Sequence, residues 1–444
     1  MIFPPQGYKN ISYKWLNQGM IFRPHGSYSE SNIAEAYQLL PVHLLWQIKQ
    51  VNTIQGQRYV DRRNSFGGKA SGLLFIAFNA LVAWIAKNER GINDLASYCD
   101  DTFGVELLSN FTFYEPYQCS LPANQTSLLE LWDELGIPHK EKKQVYGSNL
   151  TIIGINVDMH ELLLTLPSES RTDLLDHLRE FTRTPEKNSV KYSLKDFQQL
   201  SGWFNWALNV YPLLRPALSN VYAKMLHAMP DKPLTKLYVN NLIRSDLLWA
   251  IDHLSRLPGT RVLRSMDWDI NDADLPVYCN ASLTGLGFWF PGLSVGFWSR
   301  IPEDPPTGTI FYFEALSVLN TVIHSTSLGT SVTKLVMFTD NMNTVQMFNS
   351  LSALPAYNEI LKSSVDHLLS DIDNPIDLRV IHIAGELNTV ADALSREYFH
   401  TAIDHAPNIV IKKFSPPRFR RESGEVKNDQ FRHCVQATSA TCLD

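Results

Sequence analysis

The chain has little cysteine. There are 5 in 444 residues, and none of them form a Cys-x-x-Cys pair. A disulfide framework or a cysteine-based zinc site is therefore not expected. Cys99 and Cys279 lie inside apolar, strand-like runs and read as core positions. Long hydrophobic runs are scarce as well: no stretch approaches the ~18 or more uncharged apolar residues of a membrane span. The start, Met1-Ile2-Phe3-Pro4-Pro5-Gln6, lacks the basic flank and apolar core of a secretory signal. The expected setting is cytoplasmic or nuclear, with no membrane partner. An excess of basic charge is also missing, with 39 Lys+Arg against 45 Asp+Glu and a net charge of -6. That excludes a uniformly basic coat but leaves local contact with phosphate open. No internal repeat is visible.

What is present is an ordinary globular composition over a length that accommodates about two to four domains. Charge is uneven. From Glu161 to Ser265 there are 14 Lys+Arg and 10 Asp+Glu, and Lys412-Lys413-Phe414-Ser415-Pro416-Pro417-Arg418-Phe419-Arg420-Arg421 forms a second basic cluster. Either could touch phosphate or be a solvated surface. Apolar periodicity predicts helices over Ala70–Ala86 and Ser127–Leu135, and buried strands over Leu95–Cys99 and Leu150–Val157. Residues 168–257 read as several helices punctuated by Pro212, Pro216 and Pro233. From Leu275 to Arg396 the predicted order is strand-strand-strand-helix-strand-helix-strand-helix, a mixed α/β sheet covered by helices. Beyond Tyr398 the chain is expected to be mostly disordered.

Four positions in that last region form an ordered set. Asn280 closes the first strand in Val277-Tyr278-Cys279-Asn280-Ala281-Ser282. Glu314 opens the helix Phe313-Glu314-Ala315-Leu316. Asp340 ends the strand Val336-Met337-Phe338-Thr339-Asp340, and Asp392 opens the last helix. Acids at strand ends and helix starts can converge at one edge of a sheet. A two-metal phosphodiester site needs such a cluster, because hard divalent ions take carboxylate oxygens. Singly, Glu314 and Asp392 could be ordinary helix-start acids favoured by the macrodipole. Together the set resembles the RNase H domain of gypsy-type and DIRS-type retroelements. Asn280-Ala281-Ser282, the turn Leu283-Thr284-Gly285-Leu286-Gly287, His382-Ile383-Ala384-Gly385-Glu386-Leu387-Asn388 and Ala391-Asp392-Ala393-Leu394-Ser395-Arg396 carry the resemblance. The departure is Asn280, which stands where the family has its metal-bridging aspartate.

The first half holds a second ordered set. Tyr98-Cys99-Asp100-Asp101 places two aspartates at the tip of an apolar strand. Asn64-Ser65-Phe66-Gly67-Gly68-Lys69-Ala70-Ser71 leads into a helix. Asn32-Ile33-Ala34-Glu35-Ala36-Tyr37-Gln38-Leu39-Leu40-Pro41-Val42-His43 lies upstream. Leu135-Gly136-Ile137-Pro138 with Lys140, Lys142 and Lys143, then Ile152-Ile153-Gly154-Ile155, lie downstream. In this order the motifs resemble the retroelement reverse transcriptase. The resemblance implies two-metal phosphoryl transfer with Mg2+ or Mn2+ at Asp100 and Asp101. It places Gly67 and Gly68 along the nucleotide pocket and Lys142 and Lys143 near the leaving pyrophosphate. Tyr37 falls where the family has the aromatic that screens the incoming sugar, although a core tyrosine explains it too. Asn32 stands where the family has its other metal-binding aspartate, Gln38 where it often has arginine, and the segment before Asn32 is short for a fingers region.

The implied architecture is a truncated palm and fingers at 1–160, a helical thumb or connection at 161–262, an RNase H-like domain at 263–398 and a basic tail at 399–444. Trp203, Trp206, Tyr211 and Tyr222 of the thumb could stack on bases or fill a core. Implied partners are an RNA template, RNA–DNA hybrid and, if polymerisation survives, a deoxynucleoside triphosphate. An amide is neutral and cannot bridge two cations, so both the polymerase set (Asn32, Asp100, Asp101) and the nuclease set (Asn280, Glu314, Asp340, Asp392) are expected to be weakened. The alternative is a catalytically inactive nucleic-acid-binding or structural relic.

Overall fold

The computed structural model describes residues 26–68, 70–107, 109–183, 191–226, 228, 235–261, 268–328 and 332–419. Lys69, Pro233, Arg420 and Arg421, named above, lie outside the described residues. The class is mixed α/β, and the chain divides into two compact units, Met1–Asp269 and Ile270–Asp444.

The first unit runs through β1 (Gly26–Ile33), the hairpin β2 (Val51–Ile54) and β3 (Gln57–Val60), and helix α1 (Ser71–Glu89). It continues with β4 (Leu95–Tyr98), β5 (Asp101–Leu107), β6 (Phe111–Tyr114), β7 (Cys119–Pro122), α2 (Ala123–Leu135) and β8 (His139–Gly147). An antiparallel sheet in the order β4-β5-β1-β8 carries the first constellation. The central strand β1 buries Tyr28, Ser29, Ser31 and Ile33. In α1, Phe75, Val82 and Ala86 recur at helical spacing and pack with Tyr114 and Trp132 of the neighbouring elements. Its other face leaves Leu73, Leu74, Leu81 and Trp84 exposed. By length and composition α1 could cross a membrane, with 28% of its window buried. The expectation that no run comes near a span is corrected to that extent. Lys87 and Glu89 interrupt the pattern at its end, which hid the length of the run.

The rest of the unit comprises β9 (Asn149–Ile152), β10 (Ile155–Asp158), β11 (Leu163–Thr165), α3 (Ser168–Thr182), β12 (Lys191–Ser193), α4 (Leu194–Ala207), α5 (Ser219–Leu226), β13 (Lys236–Tyr238), α6 (Asn241–Arg256) and β14 (Thr260–Arg261). The single strand expected over 150–157 is a hairpin. Ile153 (φ 48) and Gly154 (φ 76) both take left-handed backbone, the signature of a tight two-residue turn. β-Branched residues on both sides hid the break. Trp206 of α4 packs on this turn and donates to the Ile153 carbonyl at 3.4 Å.

The second unit is a six-stranded sheet in the order β19-β18-β15-β16-β17-β20. Its elements are β15 (Leu275–Ala281), β16 (Gly285–Phe290), β17 (Val295–Arg300), α7 (Ile310–Ser327), β18 (Lys334–Thr339), α8 (Met342–Ser350), α9 (Pro355–Leu368), β19 (Asp377–His382), α10 (Thr389–Ser395), α11 (Phe399–His405) and β20 (Val410–Lys413). β15, β16 and β17 form an antiparallel meander; β18, β19 and β20 join in parallel. Thr309 caps α7 by accepting from Tyr312 N, and α7 is buried on most faces against the sheet and α9. Leu316, Leu319, Val322, Phe288 and Met337 are solvent-free in this core. Each contributes about 1.5–3 kcal/mol of apolar burial.

The tail is a correction. Disorder was expected from 399, but residues 399–413 contain α11 and β20, and β20 pairs with β17. Phe414 is buried beside Phe288 and His324. A four-residue strand has too short a pattern to show in sequence, and its partner lies more than a hundred residues away. Helix α8 carries little apolar signal in the sequence, because only Thr344, Met347 and Phe348 face inward.

Candidate active sites

In the first unit the β4–β5 hairpin turns at Cys99 and Asp100, with Cys99 at φ 54 and Tyr98 paired to Asp101. β1 runs beside β5 so that Asn32 lies directly opposite Asp101. Adjacent strands therefore bring residues 69 apart in sequence into contact. The Asn32 amide donates to the Asp101 carboxylate, and Lys143 of β8 donates to Asn32 Oδ1 at 2.8 Å. Burial and the neighbouring Asp100 raise the Asp101 carboxyl above its ordinary range, while Lys143 and the Asn32 hydrogen bond oppose the shift. Tyr37 packs edge-on against Phe66 and Phe75, at 4.9 and 5.4 Å, and burial, with Cys99 and Asp100 adding to it, raises its hydroxyl above the ordinary range. Gly67 takes φ 84, which only glycine adopts freely. Asn64 ties this loop to Leu40 and Ser71 by donating its backbone N–H to Leu40 O and its side-chain amide to Ser71 O. Gly68 precedes α1 and accepts from Ser71 N. Lys142 is exposed on β8, on the opposite face from Lys143.

Two residues in this site were missed by the sequence reading. Asn79 is buried on α1 and donates to the Cys99 carbonyl at 2.7 Å, fixing the acidic turn. An amide inside an apolar helix was the available signal. Glu30 lies two residues before Asn32, on the same face of β1. Burial and then Asp101 push its carboxyl up to about 7.

In the second unit all four predicted residues meet at one end of the sheet. Asn280 is 2% exposed and donates to Asp392 Oδ1 at 2.7 Å. Glu314 accepts from Ala281 N at 3.1 Å and from Thr339 Oγ1 at 3.4 Å. Burial pushes the Glu314 carboxyl up to about 8; the two hydrogen bonds oppose this, while Asp340 and Asp392 add to it. Asp340 is raised by burial and by Asp392, with His382 and Arg396 acting against that. Arg396 Nε lies 2.9 and 3.0 Å from the two Asp392 oxygens.

Close approach of α10 to the sheet makes this convergence possible. A Cβ on Gly287 would meet Ser395 N at 2.5 Å, Ala391 O at 2.6 Å and Leu394 Cβ at 2.8 Å. Only glycine lets the helix that carries Asp392 lie there. Asn388 fastens the start of α10 by donating to Cys279 O at 2.9 Å, and Ser282 fastens its end by donating to Ser395 O at 2.8 Å. The sequence motif Asn388-x-x-x-Asp392 thus contains its own positioning residue.

The resemblance implies Mg2+ or Mn2+ at Asp100 and Asp101 and at Glu314, Asp340 and Asp392. The residues as arranged do not fit a pair of divalent ions. Among the described residues no three His, Cys, Asp or Glu side chains stand in a metal-holding geometry. Asp392 is engaged by an amide and a guanidinium, Glu314 faces a backbone N–H and a hydroxyl, and Asp101 faces an amide. Of the aromatics that the resemblance assigns to a thumb, Tyr211 is buried, Trp203 and Trp206 are half-buried and Tyr222 is exposed. Lys413 of the basic cluster lies over the Trp298 ring at 5.3 Å.

No protein-family model matches the chain, and no curated protein matches it. Among solved structures it is similar to a foamy viral protease-reverse transcriptase in complex with RNA/DNA hybrid, at 16% identity and a TM-score of 0.41, covering 80% of this chain and 44% of that one. It is similar to the dRH form in complex with ds DNA, at 16% identity and a TM-score of 0.43, covering 84% and 59%. A third structure, of the foamy viral protein with dsDNA, has 16% identity and a TM-score of 0.41, covering 83% and 70%. The chain spans about half the length of the first two of these structures, which are viral protease-reverse transcriptases.

Proposed function

We propose that the chain is a retroelement reverse transcriptase and ribonuclease H by descent, whose present role is binding RNA–DNA hybrid. RNA-directed DNA polymerisation and hybrid cleavage are both weakened. The observation that carries this reading is the meeting of Asn280, Glu314, Asp340 and Asp392 at one sheet end. These residues come from four separate elements, and a purely structural sheet has no need of three carboxyl groups there. Their electrostatics support the loss of catalysis. Burial pushes the Glu314 carboxyl up to about 8, Asp392 is paired with Arg396, and Asn280 carries no charge. A site so neutralised has little to offer divalent ions. In the first unit Asp100 and Asp101 keep the acidic pair, with Asn32 and Lys143 gathered at Asp101; the resemblance assigns Tyr37, Gly67 and Gly68 to the nucleotide pocket and Lys142 and Lys143 to phosphate.

A second reading is a structural or interaction protein without nucleic-acid affinity. The net charge of -6 and the internally satisfied carboxylates favour it. Binding of a fluorescent RNA–DNA hybrid measured across salt concentrations separates the two. Phosphate contacts release counterions, so the first reading expects affinity to fall steeply and linearly on a double-logarithmic plot. Affinity absent at low salt, or insensitive to salt, overturns it.

A further inference from the structure

A cleft in the first unit shares no residue with the acidic turn. It is walled by α3, the end of α6 and the strands β10 and β11, and its volume is about 660 Å3. Ser168, Arg171, Thr172, Leu175 and Arg179 recur at helical spacing, so one face of α3 forms the long side. The described residues that line the cleft include these two arginines and no carboxylate. Arg171 is held in place. Its Nε and Nη2 both donate to the Leu254 carbonyl, one of the last-turn acceptors that α6 itself leaves open. Three of its five N–H groups remain for a ligand. Tyr211 buries its hydroxyl without a protein partner among the described residues. Burial raises that hydroxyl and Arg171 opposes the rise, so a protonated phenol lies within the field of the guanidinium. Thr151 donates to Asn156 Oδ1 at 2.7 Å, which leaves the Asn156 N–H pair uncommitted on the cleft wall. The polar groups fixed here are thus donors and cations with no negative partner on the wall.

We propose that this cleft binds a nucleoside polyphosphate, with the phosphates against Arg171, Arg179 and Asn156 and the ring against Leu166, Leu175 and Pro258. The volume falls within the roughly 300–1,000 Å3 of small-molecule sites. Arg171 and Arg179 stand about 12 Å apart along the axis of α3, which suits a row of anionic groups better than one. The apolar wall beside the cations has no use for inorganic phosphate and matches a flat uncharged ring. Arg179 is paired with Asp176 at 2.8 Å, but both side chains are more than half exposed, and such a pair gives way readily to a polyanion. None of the lining residues belongs to the elements that carry Asp100, Asp101, Lys142 and Lys143. The site is therefore separate from the surface assigned to RNA–DNA hybrid.

The test is isothermal titration calorimetry of the full chain with dATP in EDTA, which removes divalent ions and any binding that depends on them. The native chain is expected to take up one equivalent saturably. Tripolyphosphate and deoxyadenosine each carry half of the ligand's chemistry and are expected to bind more weakly. Arg179→Gln is expected to weaken dATP binding about tenfold, the loss of one charge-assisted contact. The Arg179 side chain is 54% exposed, so its replacement leaves the core intact. Arg171→Lys keeps the charge without the fork that grips Leu254, and is expected to lose at least as much. The proposal is overturned if no saturable heat appears, or if Arg179→Gln binds dATP as tightly as the native chain. Weakening by Lys143→Gln in place of Arg179→Gln would put the nucleotide at the acidic turn and overturn it too. So would a short oligodeoxynucleotide that binds more tightly than dATP and loses that affinity in Arg179→Gln, since the cleft would then be a strand groove. Hybrid binding measured on the same samples is a separate readout. Its loss alone sinks the nucleic-acid role and leaves the nucleotide site standing.

Discussion

The two units each set an asparagine against an aspartate, in different surroundings. Asn32 is half-buried on a strand whose neighbour supplies Lys143, and Asn280 is 2% exposed beneath a helix that supplies Arg396. In the first unit the amide's oxygen faces the cation and its nitrogen faces the carboxylate. In the second the cation reaches the carboxylate directly, and the amide's carbonyl side is left out of the exchange. Asn32 is a bridge and Asn280 a plug. The lesson is that one pairing of amide with carboxylate takes two forms, depending on where the nearest cation attaches.

The largest effect that would break this comparison is expected at Gly287. Gly287→Ala pushes a Cβ into the backbone of α10, and overpacking of this kind costs about 3 kcal/mol or more where backbone has to move. Thermal melting of the second unit should drop accordingly, with Asp392 displaced. An unchanged melting temperature would mean that α10 does not seat as described. Next in size is Asn280→Asp, which buries a second carboxylate beside Asp392 and is expected to cost about 2 kcal/mol at neutral pH, the range for an imperfectly paired buried charge. Asn32→Asp is expected to cost under about 1 kcal/mol, because Lys143 is already within reach and water screens the pair. Equal losses at the two positions, measured by denaturant melts, would remove the distinction between bridge and plug.

Glu314 sharpens the comparison through pH. Its carboxyl is held up to about 8 in the fold, against an ordinary value of 4.5. The folded state thus binds a proton more tightly than the unfolded state does. That preference is fully present below about pH 4.5 and is lost as pH rises through about 8. Stability should fall with rising pH in this window by up to about 1.4 kcal/mol per pH unit. Glu314→Gln should flatten the slope. In the first unit Glu30, raised to about 7 and half-buried, should show the same sign with a shallower dependence. The smallest expected effect is on binding. Lys142→Gln and Lys143→Gln should each weaken hybrid affinity modestly and reduce the salt slope by about 1 if each contacts a phosphate. A slope unchanged in both would remove β8 from the interface.

Much of this was legible in the sequence because local pattern and function coincide. β15, β16, β18 and β19 stand close to their expected positions since each is an apolar run ended by a turn. Asn280, Glu314, Asp340 and Asp392 were identifiable as an ordered set, because an amide and three acids at strand ends and near helix starts follow the pattern that carries the resemblance. What escaped depends on long-range pairing. β20 joins β17 from more than a hundred residues away, and no local signal announces it. Asn79 and Glu30 act on Asp100 and Asp101 through tertiary contact, and each reads alone as an ordinary polar residue. Arg396 was seen as part of a motif, but only the structure shows it closing on Asp392. The hairpin at Ile153-Gly154 escaped for a different reason, since β-branched residues on both sides imitate one continuous strand.

The most direct test of the central claim is cleavage of the RNA strand in an RNA–DNA hybrid with Mn2+, comparing the native chain with its Asn280→Asp variant. The account predicts that the native chain binds the hybrid without cutting it and that Asn280→Asp cuts slowly. Cleavage by the native chain at a rate Asn280→Asp does not improve would contradict it.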